Sequence, residues 1–493
     1  MAMARATFDT SGKYKPIHPG YARLTEFVNV TAAKVDIFSK YTDVELEHHT
    51  KYIMDFVRLI CSGFGEYNKL FKTKEPIPRG SYFDKTKIIS PTEYDFLNPL
   101  SLSDDASVQV CDVSDDCGLA GHGYGVVNIH PGQLQQQLLD LYSTEDYDEY
   151  DCDSDDDYVL IKHPPYEVIL HSSHDSLGAP GDVYWLTTNI SESLHTEMHT
   201  YLENTHGSHY IGERYHKYEQ HPSYTLGEFS MHEDLHGPSV WLRVGGPLGT
   251  TDIDLCFCIR GTQGSVLVPI DLYCDKCPSY IHWTESIVEP QHPGAPDHQL
   301  HNPTGHHKQL FLVLKYISHL YSKIYWHIYN ARSHLISSYS YKLLIMHHQK
   351  HCTGSDFYIG RCFEDVVEYI FNQFRGDDDD SDLYRLYRED IYLPDTYYPD
   401  REVRVVNGYS NRMELTVLLF MLKHVKHSND TQWWQKLLDD EFPNNVSSGD
   451  VLFQSLLDLV KHVWDALLQG ELTEHIDWQH EDGTRTHLTI TRY

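Results

Sequence analysis

The sequence predicts an α+β protein of two lobes, on three observations. Short strand-like runs mix with helical patterns up to Pro269. Helical runs dominate after it, and one long helical pattern precedes both. Elements in that order suit a mixed β-sheet lobe followed by an α-helical one.

The long pattern follows residues 1–40, which lack sustained periodicity and read as an N-terminal arm. Thr42 with Glu45 fits a capping box, the Ser/Thr-x-x-Glu signature of a helix start. Ile53, Phe56, Ile60 and Phe64 then recur at three and four residues, one helix face running to about residue 71. PIPRG at 76–80 stops it, because proline cannot continue a helix. EYDFL at 93–97 reads as a strand. An acidic insert at 101–157 is broken by one helical piece, GQLQQQLLDLY, and DYVLIK at 157–162 resumes a β-type run. ISESLHTEMHTYLEN at 190–204 reads as an amphipathic helix, and PSVWLRVGG and TDIDLCFCIRG as a strand pair around Gly245–Gly249. Helix-like runs follow at 309–330, 338–350, 360–374, 411–427 and 451–468.

A chain of 493 residues holds about two to three domains. The expected division is the arm, a core lobe at 41–285, a helical lobe at 286–430 and a helical extension at 431–493. Hydrophobic residues make up 40%, enough for a large core. No run approaches the roughly 18 apolar residues of a membrane span, and the N-terminus lacks the apolar stretch of a secretory signal. The expectation is a cytoplasmic protein, with the nucleus as the other compartment, and no membrane partner.

Ten scattered cysteines do not form a disulfide framework. Cys256 and Cys258 sit in an apolar run and read as core residues. Cys274 and Cys277, in CDKC, have metal-ligand spacing, but no second such pair completes a four-sulfur site. A net charge of −33 argues against a protein that binds nucleic acid over its whole surface. The excess is concentrated in like-charge runs at 143–158 and 376–382, whereas 66–87 is locally basic, with Lys69, Lys72, Lys74, Arg79, Lys85 and Lys87.

Glu93 and Asp95 are one residue apart on the EYDFL strand, so they point to the same face. A third carboxylate on a neighbouring strand would complete a site for two divalent cations. Asp254 is that candidate, with Asp252 on the same face as the runner-up. Such a pair of Mg²⁺ or Mn²⁺ ions serves phosphoryl transfer, one activating the attacking hydroxyl and the other steadying the leaving pyrophosphate. Mg²⁺ takes oxygen ligands and keeps several waters, so few side chains suffice. Gly80 and Ser81 form a small-residue turn ahead of the acids, suited to holding phosphate oxygens. An isolated Glu-x-Asp pair is more often a solvated face. The combination with Gly-Ser and a later buried-strand Asp is what favours nucleotidyl transfer.

At these residues the chain resembles the family of cyclic GMP–AMP synthase, the cGAS-like receptors and Mab-domain proteins. GSYFDKTKIISPTEYDFL is similar to that family's Gly-Ser loop and first two metal-binding acids. GPSVWLRVGGPLGTTDIDLCFCI is similar to its next strand pair, which places the third acid at Asp254. LKYISHLY resembles a helix whose lysine, here Lys315, contacts phosphates. ISSYSYKLLIM resembles a segment in which Ser338 and Tyr339 would meet the nucleotide and Lys342 the phosphates. The resemblance is patchy but ordered and spans roughly residues 42–430.

It implies a bilobed nucleotidyltransferase with the helix at 42–71 as a spine, binding ATP, GTP or other nucleoside triphosphates. It also implies a cyclic dinucleotide product, acting on a STING-type receptor in innate immunity. Three departures stand out. Trp283–Thr284 replaces a Trp-Arg pair, and residues 278–351 lack the cysteines of the DNA sensor's zinc insertion. That place holds a His-rich segment with His292, His298, His301, His306 and His307, read as a solvated loop more readily than a metal site. The acidic insert also lengthens the chain between Glu93 and Asp254.

Three functions fit these residues. The first is a ligand-activated cyclic dinucleotide synthase, with double-stranded RNA as one activator and Lys69, Lys72 and Lys74 as its contacts. Binding of that kind weakens steeply with salt. The second is a catalytically silent Mab-domain module that binds a nucleotide or a protein. The third is an RNA-tailing transferase, which calls for a broad basic track that the sequence lacks.

Overall fold

The computed structural model describes residues 19–103, 107–140, 170–173, 183–216, 223–261, 265–270, 276–277, 280–287, 303–329, 335–352, 359–374, 383–386, 390–395, 398–408, 410–428, 458, 473–479 and 484–491. The strand-like run at 157–162, both acidic runs, Cys274, His292, His298, His301 and, apart from residue 458, the helical run at 451–468 lie outside them.

The helices in chain order are α1 Pro19–Val35, α2 Ile37–Lys40, α3 Asp43–Tyr67, α4 Gly80–Phe83, α5 Gln133–Asp140, α6 Ile190–Thr205, α7 His306–Tyr329, α8 Ser338–His351, α9 Ile359–Gln373 and α10 Arg412–His427. The strands begin with β1 Ile77–Arg79, β2 Glu93–Pro99, β3 Val108–Asp112, β4 Tyr124–Ile129, β5 Leu170–Ser173, β6 Val183–Leu186, β7 Tyr210–Arg214, β8 Phe229–His232 and β9 Ser239–Gly246. They continue with β10 Gly249–Arg260, β11 Ser265–Pro269, β12 Trp283–Ile287, β13 Leu383–Leu386, β14 Ile391–Pro394, β15 Glu402–Val406, β16 Thr473–Gln479 and β17 Arg485–Thr491. No described helix is long and apolar enough to cross a membrane. The chain is thus mixed α/β, with one large mixed sheet.

The chain divides into two compact units. One comprises residues 41–298 and 397–401, the other residues 1–40, 299–396 and 402–493. The first, the sheet unit, is built on α3 and a sheet in the order β5-β6-β4-β12-β11-β10-β9-β8-β7, with β1-β2 attached to β10 and β3 to β4. α3 starts at the expected capping box: Thr42 Oγ1 accepts from the Glu45 amide, and Glu45 accepts from the Thr42 amide. Ile53, Val57, Ile60 and Phe64 form its fully buried stripe, and Phe56 sits edge-on to Phe229 of β8.

β10 organises this sheet. Its first part pairs antiparallel with β9 and parallel with β2, and its last residues pair antiparallel with β11. Alternation along it buries Ile253, Leu255 and Phe257 on one face and turns Asp252 and Asp254 to the other.

The other unit, the helical unit, is centred on the buried faces of α7, α8, α9 and α10. Residues 19–40, expected as part of an arm, instead form α1 and α2. α1 buries Leu24, Phe27, Val28, Thr31 and Ala32 and packs on α7, α9 and α10. Its apolar positions recur at three and four residues, a short pattern hidden among polar neighbours. The extension at 431–493, expected as helical, contains the antiparallel pair β16–β17, with β13 parallel to β17.

Candidate functional site

The carboxylates gather on the β2–β10 ladder. In this parallel pair Asp95 stands opposite Asp254 and Glu93 opposite Asp252. Register partners in neighbouring strands share a face about 4.8 Å apart, so the four acids form two rows on one side of the sheet.

Arg243, opposite Asp252 on β9, separates their roles. Its Nε donates to Asp252 Oδ1 at 2.6 Å and its Nη2 to Oδ2 at 3.0 Å. This two-point pair on a buried guanidinium neutralises Asp252. Among the described residues, Asp254 is paired with a histidine rather than with a guanidinium or ammonium group. Its Oδ2 lies 3.1 Å from His236 Nδ1, while its Oδ1 is buried with no hydrogen-bond partner. Burial pushes the Asp254 carboxyl above the usual carboxylate range. The His236 hydrogen bond and charge oppose this, and repulsion from Glu93 and Asp252 adds to it.

Asp95 is seated on Gly80. Gly80 has φ +79°, a conformation glycine adopts without steric cost. A Cβ built there would lie 1.6 Å from Asp95 Oδ2. Ser81 follows at the start of α4, and its carbonyl accepts from the Thr86 amide at 2.8 Å. Glu93, half exposed, forms an ion pair through Oε2 with Lys87, whose side chain is only 10% exposed.

The site therefore fits a hard divalent cation. Its acids offer carboxylate oxygens, one of them, Asp254 Oδ1, is buried without a hydrogen-bond partner among the described residues, and repulsion among the acids would fall on binding. Glu93, Asp95 and Asp254 would hold the ion, with Lys87 as the group it competes against at Glu93.

Lys87, Arg243 and His236 had no signal in the sequence as site residues. The sequence groups Lys87 with a basic patch, yet it is buried against Glu93. The patch is also compensated elsewhere, since Glu66 takes Lys69 and lies 3.6 Å from Lys72. Lys74 is exposed.

Lys315, Ser338, Tyr339 and Lys342 lie in the helical unit. The Lys315 ammonium is 5.5 Å from the Phe311 ring centre. Ser337, not Ser338, caps α8, accepting from the Ser340 amide at 3.0 Å. The exposed Tyr339 donates to the buried Asp395 at 2.8 Å. Lys342 is half-buried. In the sheet unit, Trp283 is fully buried and donates to the Leu186 carbonyl. Its neighbour Thr284 has a buried hydroxyl without a partner.

Two clusters of softer ligands also appear. Cys277, whose CDKC spacing had suggested a metal, meets Cys117 and His282 with all ligand atoms within 4.8 Å of one another. The second joins His306, His307, Cys352 and Cys362. His306 and His307 are buried, so this end of the His-rich segment is not a solvated loop. No family model matches the chain, and no curated protein matches it.

Proposed function

We propose that the chain is a nucleotidyltransferase of the cGAS-like, Mab-domain kind, joining two nucleoside triphosphates into a cyclic dinucleotide with Mg²⁺ or Mn²⁺. The observation that carries this reading is the shared face of Glu93, Asp95 and Asp254, with Asp252 set apart by Arg243. When bound, the metal pair supplies activation of a ribose hydroxyl and charge stabilisation of the leaving pyrophosphate.

The chain's own groups divide the remaining work. Gly80 lets the backbone approach Asp95, and Asp254 supplies an oxygen that no described residue satisfies. Lys87, once a metal takes Glu93, would be free to offer its charge to an incoming phosphate. The assignment of Lys315, Ser338, Tyr339 and Lys342 to the nucleotide rests on the resemblance alone, as do activation by double-stranded RNA and a STING-type receptor for the product.

A second reading is a catalytically silent module that binds a nucleotide or a protein. The Lys87–Glu93 ion pair favours it, because a lysine can replace a cation permanently. One experiment separates the two. The protein is incubated with all four triphosphates, Mg²⁺ or Mn²⁺ and a ligand panel that includes double-stranded RNA, and products are identified by mass. A cyclic dinucleotide from the wild type, lost by more than about 100-fold in Asp95→Asn, supports the enzyme; the scale is that of losing a metal-site contact. Wild-type turnover in Asp95→Asn rejects it.

A further inference from the structure

Four side chains from three helical segments converge within the helical unit, none of them among the proposed catalytic or nucleotide-binding residues. His306 and His307 open α7, Cys352 caps the C-terminus of α8, and Cys362 lies in the first turn of α9. Their ligand atoms all lie within 4.8 Å of one another. Cys352 Sγ is 3.6 Å from Cys362 Sγ, and Cys362 Sγ is 3.7 Å from His306 Nε2.

Those separations discriminate between chemistries. A disulfide needs sulfurs about 2.05 Å apart. A tetrahedral zinc ion with Zn–S of about 2.3 Å and Zn–N of about 2.0 Å holds two sulfurs about 3.8 Å apart and a sulfur and a nitrogen about 3.5 Å apart. The observed 3.6 Å and 3.7 Å exclude a disulfide and lie within about 0.2 Å of the second pair of values.

Burial adds to this. His306, His307 and Cys362 are 9%, 6% and 2% exposed, and His307 Nε2 is buried with no hydrogen-bond partner. An imidazole nitrogen left in that state is costly unless something coordinates it. The segment entering α7 is also tied to α8. The Thr304 amide donates to Gln349 Oε1 and the Gln349 amide group donates to Thr304 Oγ1, both at 3.2 Å. These bonds fix the histidine pair against the end of α8.

We propose that His306, His307, Cys352 and Cys362 form a structural zinc site that clamps the start of α7, the end of α8 and the start of α9. Two thiolates and two imidazoles match zinc by softness and number, and four protein ligands close the coordination sphere, as in a structural rather than a catalytic site. On binding, the two thiols release their protons to solvent and each sulfur donates an electron pair to the metal. The ligands are spaced irregularly over more than fifty residues, which is why no short motif announces the site.

The test uses the full chain purified under reducing conditions, with metal content measured after dialysis and zinc or cobalt alone as the probe. The Cys352→Ser, Cys362→Ser and His307→Asn variants should each carry one zinc equivalent per chain fewer than the wild type. Taking the difference cancels any ion held at Cys117, Cys277 and His282. Cobalt should give thiolate-to-metal charge transfer and tetrahedral bands in the wild type, reduced in each variant. A cysteine variant that fails to fold leaves the decision to His307→Asn, which keeps both sulfurs, and to cobalt loading of the wild type. Equal metal content in the wild type and the folded variants overturns the proposal.

Discussion

Gly80 and Asp95 are in such close approach that no side chain fits between them: a Cβ at residue 80 would fall 1.6 Å from Asp95 Oδ2. The carboxylate thus rests on bare backbone. Gly80→Ala must therefore displace Asp95 and hold alanine at a φ of +79°. The backbone conformation alone costs about 1–2 kcal/mol. The expected outcome is a lower melting temperature together with weaker Mg²⁺ binding by calorimetry. Unchanged Mg²⁺ affinity in folded Gly80→Ala would show that Asp95 is not a ligand.

Lys87 holds Glu93 Oε2 in an ion pair, and on the proposed function a divalent ion competes with it for that oxygen. Lys87→Met removes the competitor and keeps the buried aliphatic stem. Mg²⁺ affinity measured without nucleotide should rise by up to roughly fivefold, the scale of a partly screened ion pair of about 1 kcal/mol. A fall in affinity would mean that Lys87 organises the site for the ion rather than excluding it.

Gly360 sets the spacing between α9 and α1. A Cβ there would meet the Thr25 amide nitrogen and the Tyr21 carbonyl oxygen at 2.6 Å, both backbone atoms that cannot rotate away. Gly360→Ala should destabilise the helical unit by about 1–3 kcal/mol, the usual cost of overpacking. Denaturant unfolding followed by tryptophan fluorescence and circular dichroism measures it. Wild-type stability would place α1 farther from α9 than described.

Glu414 gives the helical unit a pH dependence. It is fully buried, accepting from the Ile336 amide at 2.6 Å and the Tyr341 hydroxyl at 2.7 Å. Burial pushes its carboxyl up to about 7, against hydrogen bonds that pull it down. An acid raised on folding holds its proton more tightly in the native state. Its contribution is therefore most favourable below the ordinary value of 4.5 and is lost as pH climbs through about 7. That interval corresponds to about 3 kcal/mol at 1.36 kcal/mol per pH unit. Glu414→Gln should flatten the stability difference between pH 5 and pH 7.5. An equal slope in both proteins would assign it to other groups.

Local features were legible in the sequence and distant ones were not. The capping box at Thr42 and the spacing of Ile53, Ile60 and Phe64 located α3, because capping and periodicity act within a few residues. The Gly245–Gly249 turn likewise located β9 and β10. The common face of Glu93 and Asp95 follows from strand alternation, but their register with Asp254 comes from a parallel pairing that no neighbouring residue encodes. Arg243 distinguishes Asp252 from Asp254 only through a cross-strand ladder. Lys87 looked like part of a basic surface because sequence cannot tell which way a loop lysine turns. The His-rich segment looked solvated because the cysteines that meet His306 and His307 lie in other helices. α1 escaped notice because its burial depends on three helices hundreds of residues downstream.

The parallel pairing of β2 with β10 also has a temporal consequence. Asp95 and Asp254 are roughly 160 residues apart along the chain, so at about 5–20 residues per second a ribosome exposes the first acid pair on the order of ten seconds before the third. A nascent chain in that interval carries two of the three acids on a strand whose parallel neighbour does not yet exist. The shared carboxylate face can assemble only after β10 has emerged, whatever the order in which the surrounding helices form.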